Sequence, residues 1–598
     1  VASNAILERS GARTGLIGTK GFRDILDIRT MRMPRLYDLR WEKPAPLVER
    51  YLRLTVDERI DADGRVQRPL DIAEAERAIE RLLAEGVEAI AICLLNSFTN
   101  PAHENAIAKI IKRLAPDLTV CTSFEVLPEI KEYERASTTV INAFLKPVVE
   151  RYLNSMRLHL DKSKITAPVL LMQSNGGLTT DRAGAKLPIH IVESGPAGGV
   201  IGSQALAHAM GLAHVVTFDM GGTTAKASLI ERGEVTRVHE CEVGGGVIVG
   251  SRLLTGAGYT LKVPAIDIAE VGAGGGSVIW IDAAGSMRVG PRSAGANPGP
   301  VCYDAGGEDV TITDANVTLG YTNPNYLVGG ELRLNAAKAR EMLERRVAQP
   351  LGLTVEHAAY GARQIAAANM IRAIKSVSTE RGRDVREYAM FAFGGNGPLF
   401  AAEMGQALGM RSIVVPPAPG LFSSFGLLCA EIEHHYSRTF RRLLRRVDFT
   451  ELNAVWDGIA AEALAQLASE GFTGASARVT RSASLHYQGQ TYELTVPVPD
   501  QKVDAATVAA IEEAFGQEHE RTYGHRAGAD EQIELITILV IGHGVSSRPR
   551  VPKLGVSSRV EAAPPPPRDA YFGRETGWLR TPILRRGDLT PAARQGPL

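Results

Sequence analysis

Short apolar runs alternate with helical stretches along the N-terminal part of the chain. Residues 12–19 and 86–95 are apolar runs of strand length, and the second follows a charged stretch whose apolar residues recur at helical spacing. A strand that follows a helix in this way predicts a parallel or mixed sheet. Residues 136–160 predict a helix that is interrupted at Pro147, because proline lacks the backbone N–H that a helix interior needs. Residues 169–177 then predict a buried strand that ends in a glycine turn.

The same alternation continues through the rest of the chain. Pro196 and the neighbouring glycines open a predicted helix, and HVVTFDMGGTTAKASLIERGEV then predicts a strand, a tight turn and a returning strand. Residues 235–330 are rich in glycine and predict loops over a few strands, which could wall a site. An alanine-rich helix over 357–381 leads into a further strand, glycine turn and helix. From about Thr450 a helix, a strand pair and a closing strand predict an α+β domain.

Composition narrows the class of protein. The 598 residues carry 67 Lys plus Arg and 67 Asp plus Glu, so no net field favours nucleic acid or an acidic membrane surface as a partner. The five cysteines are widely spaced without a CxxC pair, which argues against a disulfide framework and a zinc site and favours the reducing cytoplasm. No apolar run is long enough to span a membrane, and the first residues lack the pattern of a signal peptide.

A glycine hairpin in the middle of the chain is the strongest local signal. Its glycine amides and threonine hydroxyls could approach a polyphosphate because no Cβ stands in the way. Asp219 ends the first strand, where a carboxylate can hold Mg²⁺ through water or act catalytically by orienting a nucleophile. A tight hairpin that only satisfies its own backbone would use the same residue types. The residues assigned to the hairpin are Asp219, Gly221, Gly222, Thr223, Thr224 and Lys226.

A second glycine turn follows a later apolar strand and precedes a helix. The amides at a helix N-terminus suit a phosphate or ribose, and glycines let an adenine lie on the backbone. Its nucleotide-binding candidates are Gly394, Gly395, Asn396 and Gly397. As a pair, the two turns resemble the phosphate and adenosine motifs of the actin, hexokinase and Hsp70 superfamily.

Longer segments, in order and over nearly the whole chain, are similar to the hydantoinase A and 5-oxoprolinase family. They are VASNAILERSGARTGLIGTKGFRDILDI, NSFTNPAHE, LPEIKEYERASTTVINAFLKPVVERYL, MQSNGG, VESGPAGGVIG, FDMGGTTAK, GAGGGS, PRSAGANPGPVCY, TDANVTLG, AFGGNGPL, YQGQTYELTVPVP and HERTYGH. The resemblance implies an α/β fold with duplicated, ribonuclease H-like lobes and a C-terminal α+β domain. The expected divisions are 1–130 for the remainder of the N-terminal lobe, 131–445 for the core with the nucleotide cleft, and 446–598 for the incomplete C-terminal domain.

The resemblance also implies a function. The family contains subunits of ATP-dependent amidohydrolases that open hydantoins, 5-oxoproline or lactams, and subunits of acetone and acetophenone carboxylases. ATP and Mg²⁺ are the implied cofactors, and a hydantoinase B-type subunit is the implied partner. ATP would phosphorylate an amide or enolate oxygen, so that water or CO₂ chemistry can follow. The shared motifs do not separate the two branches.

Family members usually carry a further DxGGTxTD hairpin before the stretch that matches Val1, and continue beyond the last residues of this chain. The chain is therefore expected to be truncated at both ends. In the superfamily two phosphate hairpins grip the nucleotide from opposite lobes, so loss of one would weaken ATP binding. A non-catalytic scaffold subunit remains an alternative on this ground.

Several other polar residues are candidates for the substrate or for the wall of the cleft. A salt-bridged helix face is the default explanation for Glu129, Glu132 and Arg135. Capping at strand ends and ordinary loop carboxylates fit the other candidates as well as a functional role does. Many relatives carry histidine where this chain has Ala269, which weakens a metal site there. The candidates are Arg135, Ser174, Asn175, Glu193, Ser194, Asp267, Glu270, Gly274, Gly275, Gly276 and Ser277.

Two adjacent histidines, His434 and His435, suggest a metal site at first sight. Neighbouring side chains on a strand point to opposite faces, so the pair cannot easily chelate one ion. We therefore expect structural roles for both.

Overall fold

The chain forms two compact units, each built from segments that are far apart in sequence. The structure is a computed structural model, and it describes residues 2–31, 37–244, 257–327, 330–528, 530–545, 565–586, 589 and 595–596. Unit 1 comprises Val1–Ile201, Thr236–Asp267 and Leu427–Arg548. Unit 2 comprises Gly202–Val235, Ile268–Gly426 and Pro549–Leu598.

The helices follow the predicted alternation. In chain order they are α1 (Ala2–Leu7), α2 (Ile25–Ile28), α3 (Ile72–Ala84), α4 (Ala102–Leu114), α5 (Ser123–Val126), α6 (Glu132–Lys162), α7 (Asp181–Lys186), α8 (Ser194–Met210), α9 (Ile312–Thr318), α10 (Ala336–Leu343), α11 (Gln349–Leu351), α12 (Val355–Val377), α13 (Gly397–Leu408), α14 (Phe422–Cys429), α15 (Phe449–Ser469) and α16 (Ala505–Tyr523).

The strands are mostly short outside the C-terminal part of the chain. In chain order they are β1 (Thr14–Thr19), β2 (Arg53–Val56), β3 (Arg59–Ile60), β4 (Val66–Arg68), β5 (Ala89–Cys93), β6 (Thr119–Thr122), β7 (Leu170–Met172), β8 (Leu178–Thr180), β9 (Val215–Met220), β10 (Ala225–Glu231), β11 (Glu234–Val235), β12 (Arg237–Val238), β13 (Cys241–Val243), β14 (Tyr259–Leu261), β15 (Ala265–Ile266), β16 (Ala269–Val271), β17 (Ser277–Ile281), β18 (Met287–Ser293), β19 (Ala389–Phe393), β20 (Ile413–Val414), β21 (Ile432–Leu443), β22 (Ala477–Tyr487), β23 (Leu494–Val498), β24 (Ile533–Gly544), β25 (Arg568–Tyr571) and β26 (Trp578–Thr581).

Unit 1 contains the predicted parallel sheet. Its four strands lie in the order β2-β1-β5-β6, and all three pairings are parallel. β1 is buried along its whole length, as expected for a parallel strand that is covered on both faces. The helical-period residues of α3, among them Ile79 and Leu82, are buried in the same core. The β-after-α pattern of the sequence is thus confirmed.

A second sheet of unit 1 combines distant parts of the chain. Its order is β23-β22-β24-β21-β8-β7, with the long strands β21 and β24 antiparallel at its centre. Helices α15 and α16 contribute Trp456 and Phe515 to a core that also contains Leu485 and Ile538 from the strands. The predicted C-terminal helix, strand pair and closing strand are present. Their sheet continues into β8, which pairs with β21.

Unit 2 is built on a mixed sheet. β9 and β10 form an antiparallel hairpin, and β19 runs parallel to β9 on its other side, in the order β11-β10-β9-β19-β20. β16 also pairs with β10. The alanine-rich helix α12 buries residues such as Ala362 and Ala366 in the same core as Phe218 and Met390. Small side chains allow this close packing of helix against sheet.

Two predictions about secondary structure were wrong. α6 runs continuously through Pro147, because buried residues on both sides of the proline, including Phe144 and Val149, pack into one core. This packing outweighs the single backbone hydrogen bond that proline cannot donate. The strand predicted within 169–177 is the short edge strand β7, in which Leu170 is exposed and only Met172 is buried.

Among the described residues, no helix is both long and apolar enough to cross a membrane.

Candidate functional site

Three glycine turns that are distant in sequence meet in unit 2. They are the β9–β10 turn, the turn that leads into β17, and the turn between β19 and α13. The amide of Gly275 donates to the carbonyl of Gly221 at 3.1 Å, and the amide of Gly276 donates to the carbonyl of Gly222 at 2.6 Å. The side-chain amide of Asn396 donates to the carbonyl of Gly221 at 3.2 Å. Backbone hydrogen bonds therefore hold the three turns in one structure.

Glycine is required where these turns touch. A Cβ on Gly274 would lie 2.5 Å from the carbonyl carbon and oxygen of Gly222 and 2.6 Å from the amide nitrogen of Thr223. Gly394 has a φ of +80°, and a Cβ there would meet the carboxylate of Asp219. Side chains at either position would push the turns apart.

The turn that contains Gly274 packs against the β9–β10 hairpin. Gly274, Gly275, Gly276 and Ser277 are all buried. The hydroxyl of Ser277 accepts a hydrogen bond from the Gly274 amide at 2.8 Å. These candidates for the wall of the cleft thus brace the β9–β10 hairpin.

The opposite side of the turns is open. Gly222, Thr223 and Gly395 are exposed, and Thr224 is half-buried. A Cβ on Gly222 or on Gly395 would meet no atom within 4 Å. The backbone at Gly222 and at Gly395 therefore has open space beside it, which is what a phosphate group needs in order to approach a turn closely.

Asp219 stands at the end of β9, beside the open face. Asp219, Lys226 and Glu270 are register partners across β9, β10 and β16, so their side chains emerge from one face of the sheet. The Lys226 ammonium lies 3.4 Å from the Glu270 carboxylate. Burial raises the pKa of Asp219, and the charge of Lys226 opposes that rise. Among the described residues, the Asp219 carboxylate makes no hydrogen bond or ion pair.

The N-terminus of α13 completes this group. Asn396 is the N-cap residue, but its side chain does not cap the helix and instead bonds to the hairpin. Gly397 is the first residue of the helix and Pro398 follows it. The N-terminus of α13 carries the positive end of the helix dipole, which attracts an anion.

Sequence reasoning missed Thr313 as part of this group. Its amide and its hydroxyl both donate to the carbonyl of Gly275, at 2.7 Å and 2.8 Å. Thr313 lies in the segment TDANVTLG, which contributes to the family resemblance. The segment alone does not show which residue this threonine contacts.

The residues around the turns supply only some of the ligands that a divalent cation needs. Among the described residues, no group of three or more His, Cys, Asp or Glu side chains could hold a metal ion. Mg²⁺ in nucleotide sites is commonly held by one or two carboxylates, with phosphate oxygens and water completing the shell. The unpaired carboxylate of Asp219 fits this mode of binding, whereas a site made of protein ligands alone does not fit.

Three of the other candidates come together in unit 1. The hydroxyl of Ser174 donates to the carbonyl of His190 at 2.8 Å, and the carbonyl of Ser174 accepts from the amide of Ile266 at 2.7 Å. Asp267, the next residue, is 1% exposed, and Asn175 is equally buried. Glu270 belongs to unit 2.

Arg135 has a structural environment. It is fully buried, and its guanidinium donates to the carbonyl of Leu94 at 2.7 Å and to the hydroxyls of Ser97 and Ser123. Its ion pair with Glu132 spans 3.3 Å, as the helical spacing predicts. Glu129 was wrongly expected on the same helix face: it precedes α6 and lies 2.6 Å from the ammonium of Lys262.

Glu193 and Ser194 lie at the start of α8. Glu193 has a φ of +60°. Its backbone amide donates a hydrogen bond to the hydroxyl of Ser3 at 3.0 Å. Ser194 is the first residue of the helix. Both side chains are half-buried.

His434 and His435 have separate partners, as their alternation along β21 predicts. Nε2 of His434 lies 2.7 Å from Glu470, and Nε2 of His435 lies 3.0 Å from Glu433. Sequence reasoning did not anticipate that Glu433 would also meet Arg237, because these residues are almost two hundred positions apart.

Sequence models of one family cover most of the chain. The model described as Hydantoinase/oxoprolinase matches residues 135–436. The models described as Hydantoinase/oxoprolinase N-terminal region and Hydantoinase/oxoprolinase C-terminal domain match residues 1–115 and 444–592.

Known proteins of two kinds are similar to the chain. The caprolactamase subunit alpha of Pseudomonas jessenii is 32% identical over all of this chain and 85% of its own length. The acetophenone carboxylase gamma subunit of Aromatoleum aromaticum is 33% identical over 82% of this chain and 68% of its own length. The crystal structure of the ATP-dependent caprolactamase from Pseudomonas jessenii superposes with a TM-score of 0.85 at 32% identity, over 97% of this chain and 83% of that one.

Proposed function

The chain belongs to the hydantoinase/oxoprolinase family, and from this premise we propose that it is the ATP-binding subunit of an ATP-dependent, ring-opening amidohydrolase. Its substrate would be a cyclic amide of the hydantoin, 5-oxoproline or lactam type. Its own task would be to bind ATP and to phosphorylate the amide oxygen.

The observation that carries this proposal is the meeting of the three glycine turns in unit 2. Their contacts leave Gly222, Thr223 and Gly395 exposed on one face, beside the N-terminus of α13. An exposed glycine turn, a threonine hydroxyl and a helix N-terminus are features that would suit a polyphosphate.

Each residue of the site has a proposed role. The amide of Gly222 and the hydroxyls of Thr223 and Thr224 would bind phosphate oxygens. Gly221 would shape the turn, since its amide donates to the carbonyl of Thr224 at 3.0 Å. The turn formed by Gly394, Gly395, Asn396 and Gly397 would contact the rest of the nucleotide. Lys226 would stabilise charge on the transferring phosphoryl group.

Asp219 is the residue that would hold Mg²⁺. The cation would neutralise charge that develops on the phosphate oxygens during transfer. Burial raises the pKa of the half-buried Asp219, whereas the charge of Lys226 opposes that rise and favours the ionised carboxylate that a cation needs.

The chemistry balances without an oxidant or a reductant. The amide oxygen attacks the γ-phosphorus of ATP, the bond from that phosphorus to the bridging oxygen breaks, and ADP leaves. The amide nitrogen gives up its proton. The ring carbon, now attached to a phosphorylated oxygen, becomes electrophilic enough for water to add. The C–N bond then breaks, the nitrogen takes up protons and leaves as an amine, and a second water hydrolyses the remaining acyl phosphate to a carboxylate and phosphate.

The finer architecture is also part of the proposal. We assign the fold to duplicated, actin-like lobes, with residues 1–130, 131–445 and 446–598 as the evolutionary parts of the chain. The hairpin and parallel strands of unit 2, followed by α13, support this assignment for one lobe.

A partner subunit and a compartment follow from the same reasoning. The caprolactamase and acetophenone carboxylase relatives are named as subunits, so we propose a hydantoinase B-type partner that carries out the hydrolytic step. None of the five cysteines, all of which lie in the described part of the chain, forms a disulfide, which supports a cytoplasmic, reducing environment.

The second candidate function is that of a ketone carboxylase subunit. The acetophenone carboxylase relative favours it, since its identity to this chain is as high as that of the caprolactamase subunit. In that case ATP would phosphorylate an enolate oxygen in place of an amide oxygen.

The test is ADP release by the chain co-expressed with its B-type partner. We expect cyclic amides to stimulate ADP release, with ring-opened product formed in equal amount. Stimulation only by ketones with bicarbonate would contradict the proposal and support the carboxylase. No stimulation by either class, together with no ATP binding, would favour a scaffold subunit.

A further inference from the structure

Arg363 is a buried cation of unit 2 to which the proposed ATP chemistry assigns no role. It lies in α12 and is 2% exposed. Burial lowers the pKa of its guanidinium, so the surroundings oppose its charge. Its Nε is buried and has no hydrogen-bond partner among the described residues. Such a placement is unfavourable unless the other contacts of the guanidinium compensate for it.

One set of contacts joins Arg363 to α9 and to the loop that follows it. A terminal nitrogen of the guanidinium donates to the side-chain oxygen of Asn316, a fully buried residue of α9. The ring centroid of Tyr321, in the loop after α9, lies 4.3 Å from the guanidinium carbon. The Tyr321 hydroxyl donates to the carbonyl of Tyr571 at 2.7 Å, which holds the ring in place. A cation against a fixed aromatic face is stabilised by the ring electrons.

The other set of contacts joins Arg363 to α13. The second terminal nitrogen donates to the carbonyl of Leu399 at 2.9 Å and lies 3.3 Å from the carboxylate of Glu403. The ring centroid of Phe400 lies 4.2 Å from the guanidinium carbon. Within the described part of the chain, the hydrogen bonds, ion pair and ring contacts of this guanidinium therefore all go to α9, to the loop after it, or to α13.

These two helices also hold the glycine turns. The hydroxyl of Thr313, near the start of α9, donates to the carbonyl of Gly275. The side chain of Asn396, the N-cap residue of α13, donates to the carbonyl of Gly221. Each helix is thus attached to the turns near its N-terminal end.

Arg363 meets each helix about one turn beyond these attachments. Asn316 follows Thr313 by three residues, and Leu399 follows Asn396 by three residues. Since a helical turn contains about 3.6 residues, each contact of the guanidinium lies close to a contact with a glycine turn. One side chain therefore connects the two supports of the proposed phosphate site.

Stability alone does not account for a charged side chain at this position. Replacing a buried ion pair with apolar residues of similar volume is often neutral or stabilising. An apolar side chain could pack against the rings of Tyr321 and Phe400, but it would make no directional bond to either helix. A guanidinium is planar and has donors in fixed directions, so it sets the distance and angle between the groups that it bonds.

We propose that Arg363 is a positioning residue for the ATP site. Its guanidinium fixes the spacing of α9 and α13 and, through Thr313 and Asn396, the spacing of the glycine turns. The inference rests on the proposed function, because Arg363 acts only through the turns. A positioning residue affects the affinity of the folded protein for ATP, whereas a residue that only stabilises the core affects the unfolding transition alone.

The test is the affinity of Arg363→Lys for Mg-ATP, in the chain co-expressed with its partner subunit. Lysine keeps the charge, but its ammonium lacks the fixed fork of donors that a guanidinium has. Calorimetry is carried out at a temperature at which circular dichroism shows the variant to be folded. We expect the Kd for Mg-ATP to rise at least about tenfold relative to the wild type.

Two substitutions of Asn316 test the bond to α9 separately. Asn316→Leu has a similar volume but no acceptor for the guanidinium, so the Kd for Mg-ATP should rise. Asn316→Asp keeps the acceptor and removes only the side-chain nitrogen, which has no hydrogen-bond partner among the described residues, so the Kd should stay at the wild-type value.

The matched control is Arg383→Lys. Arg383 is also a buried arginine of unit 2, and its guanidinium pairs with Glu231 at 3.2 Å. Glu231 ends β10, whereas the glycine turn precedes the start of that strand. The same substitution there should leave the Kd for Mg-ATP within about twofold of the wild-type value.

The outcomes separate this inference from the proposed function. If the wild type binds Mg-ATP and both Arg363→Lys and Asn316→Leu bind it equally well, the inference is overturned and the proposed function stands. An equal loss of affinity in Arg383→Lys would also overturn the inference. If Arg363→Lys fails to fold, the comparison of Asn316→Leu with Asn316→Asp decides. If the wild type does not bind Mg-ATP, the proposed function falls and the inference falls with it.

Discussion

Asp219, Lys226 and Glu270 form a ladder of alternating charge across three strands of unit 2. Lys226 lies between the two carboxylates in the strand register, and its ammonium is 3.4 Å from Glu270. Asp219 has no close ion pair among the described residues, so its ionisation depends on a balance between burial and the field of Lys226. This balance links a residue beside the site to the pH range of cation binding.

We predict that Lys226→Met moves the acid limit of Mg-ATP binding to higher pH. Lys226 lowers the pKa of Asp219, so its removal lets burial raise that pKa further. Binding needs the ionised carboxylate and is lost as pH falls through its pKa. Calorimetric titrations between about pH 5 and pH 8 would show the shift. Glu270→Gln is the control. It removes the carboxylate that competes with Asp219 for Lys226, so it should not move the acid limit of Mg-ATP binding to higher pH.

The glycines of the turns fall into two groups that mutation can separate. Gly274→Ala would force a methyl group against Gly222 and Thr223, so we expect the free energy of unfolding to fall by about 1–3 kcal/mol. Gly395→Ala meets no neighbouring atom and should leave stability within about 0.5 kcal/mol. Its methyl group would occupy the phosphate face and weaken ATP binding about tenfold, or about 1.4 kcal/mol. Unfolding curves and ATP titrations on both variants would distinguish a packing role from a binding role. If Gly274→Ala and Gly395→Ala changed stability and ATP affinity alike, this assignment of roles would be contradicted.

Among individual residues, the sequence pointed to those that lie within short, local motifs. Asp219 and the two glycine turns could be predicted because strand, turn and helix each leave a local pattern. The support given by Thr313 and the meeting of Arg237 with Glu433 could not, since such contacts depend on how distant segments pack.

Among the elements, α6 shows most clearly how packing overrides a local signal. The helix extends from Glu132 to Lys162 with Pro147 inside it. Residues before and after the proline are buried in the same core of unit 1. The sequence pattern therefore gave the correct helix, while the interruption was wrong because tertiary contacts stabilise both halves in one line.

Pro147→Ala should stabilise the protein. Alanine supplies the missing N–H and has a higher helix propensity, so we expect the free energy of unfolding to rise by about 1–3 kcal/mol. Asn154→Ala, at an exposed position of the same helix, should raise it by no more than about 0.7 kcal/mol. Denaturant unfolding would measure both, and a loss of stability in Pro147→Ala would show that the proline is needed where it stands.

On the scale of the whole molecule, each unit is assembled from segments that the sequence order keeps apart. Unit 1 joins N-terminal and C-terminal strands in one sheet through the pairing of β21 with β8. A reading of elements in chain order could identify these strands but not their partners, because register between distant strands has no local signature. Unit 2 gathers all three glycine turns, and the account of function depends on that unit.

The measurement that tests this account most directly is calorimetric binding of Mg-ATP to the chain with its partner subunit, compared between the wild type, Asp219→Asn and Asp384→Asn. Asp384 is a partly exposed carboxylate of unit 2 that pairs with Arg386 outside the glycine turns. We predict binding by the wild type and by Asp384→Asn, with affinity reduced at least about tenfold in Asp219→Asn. Equal affinity in all three proteins, or no binding by the wild type, would contradict a nucleotide site at the glycine turns.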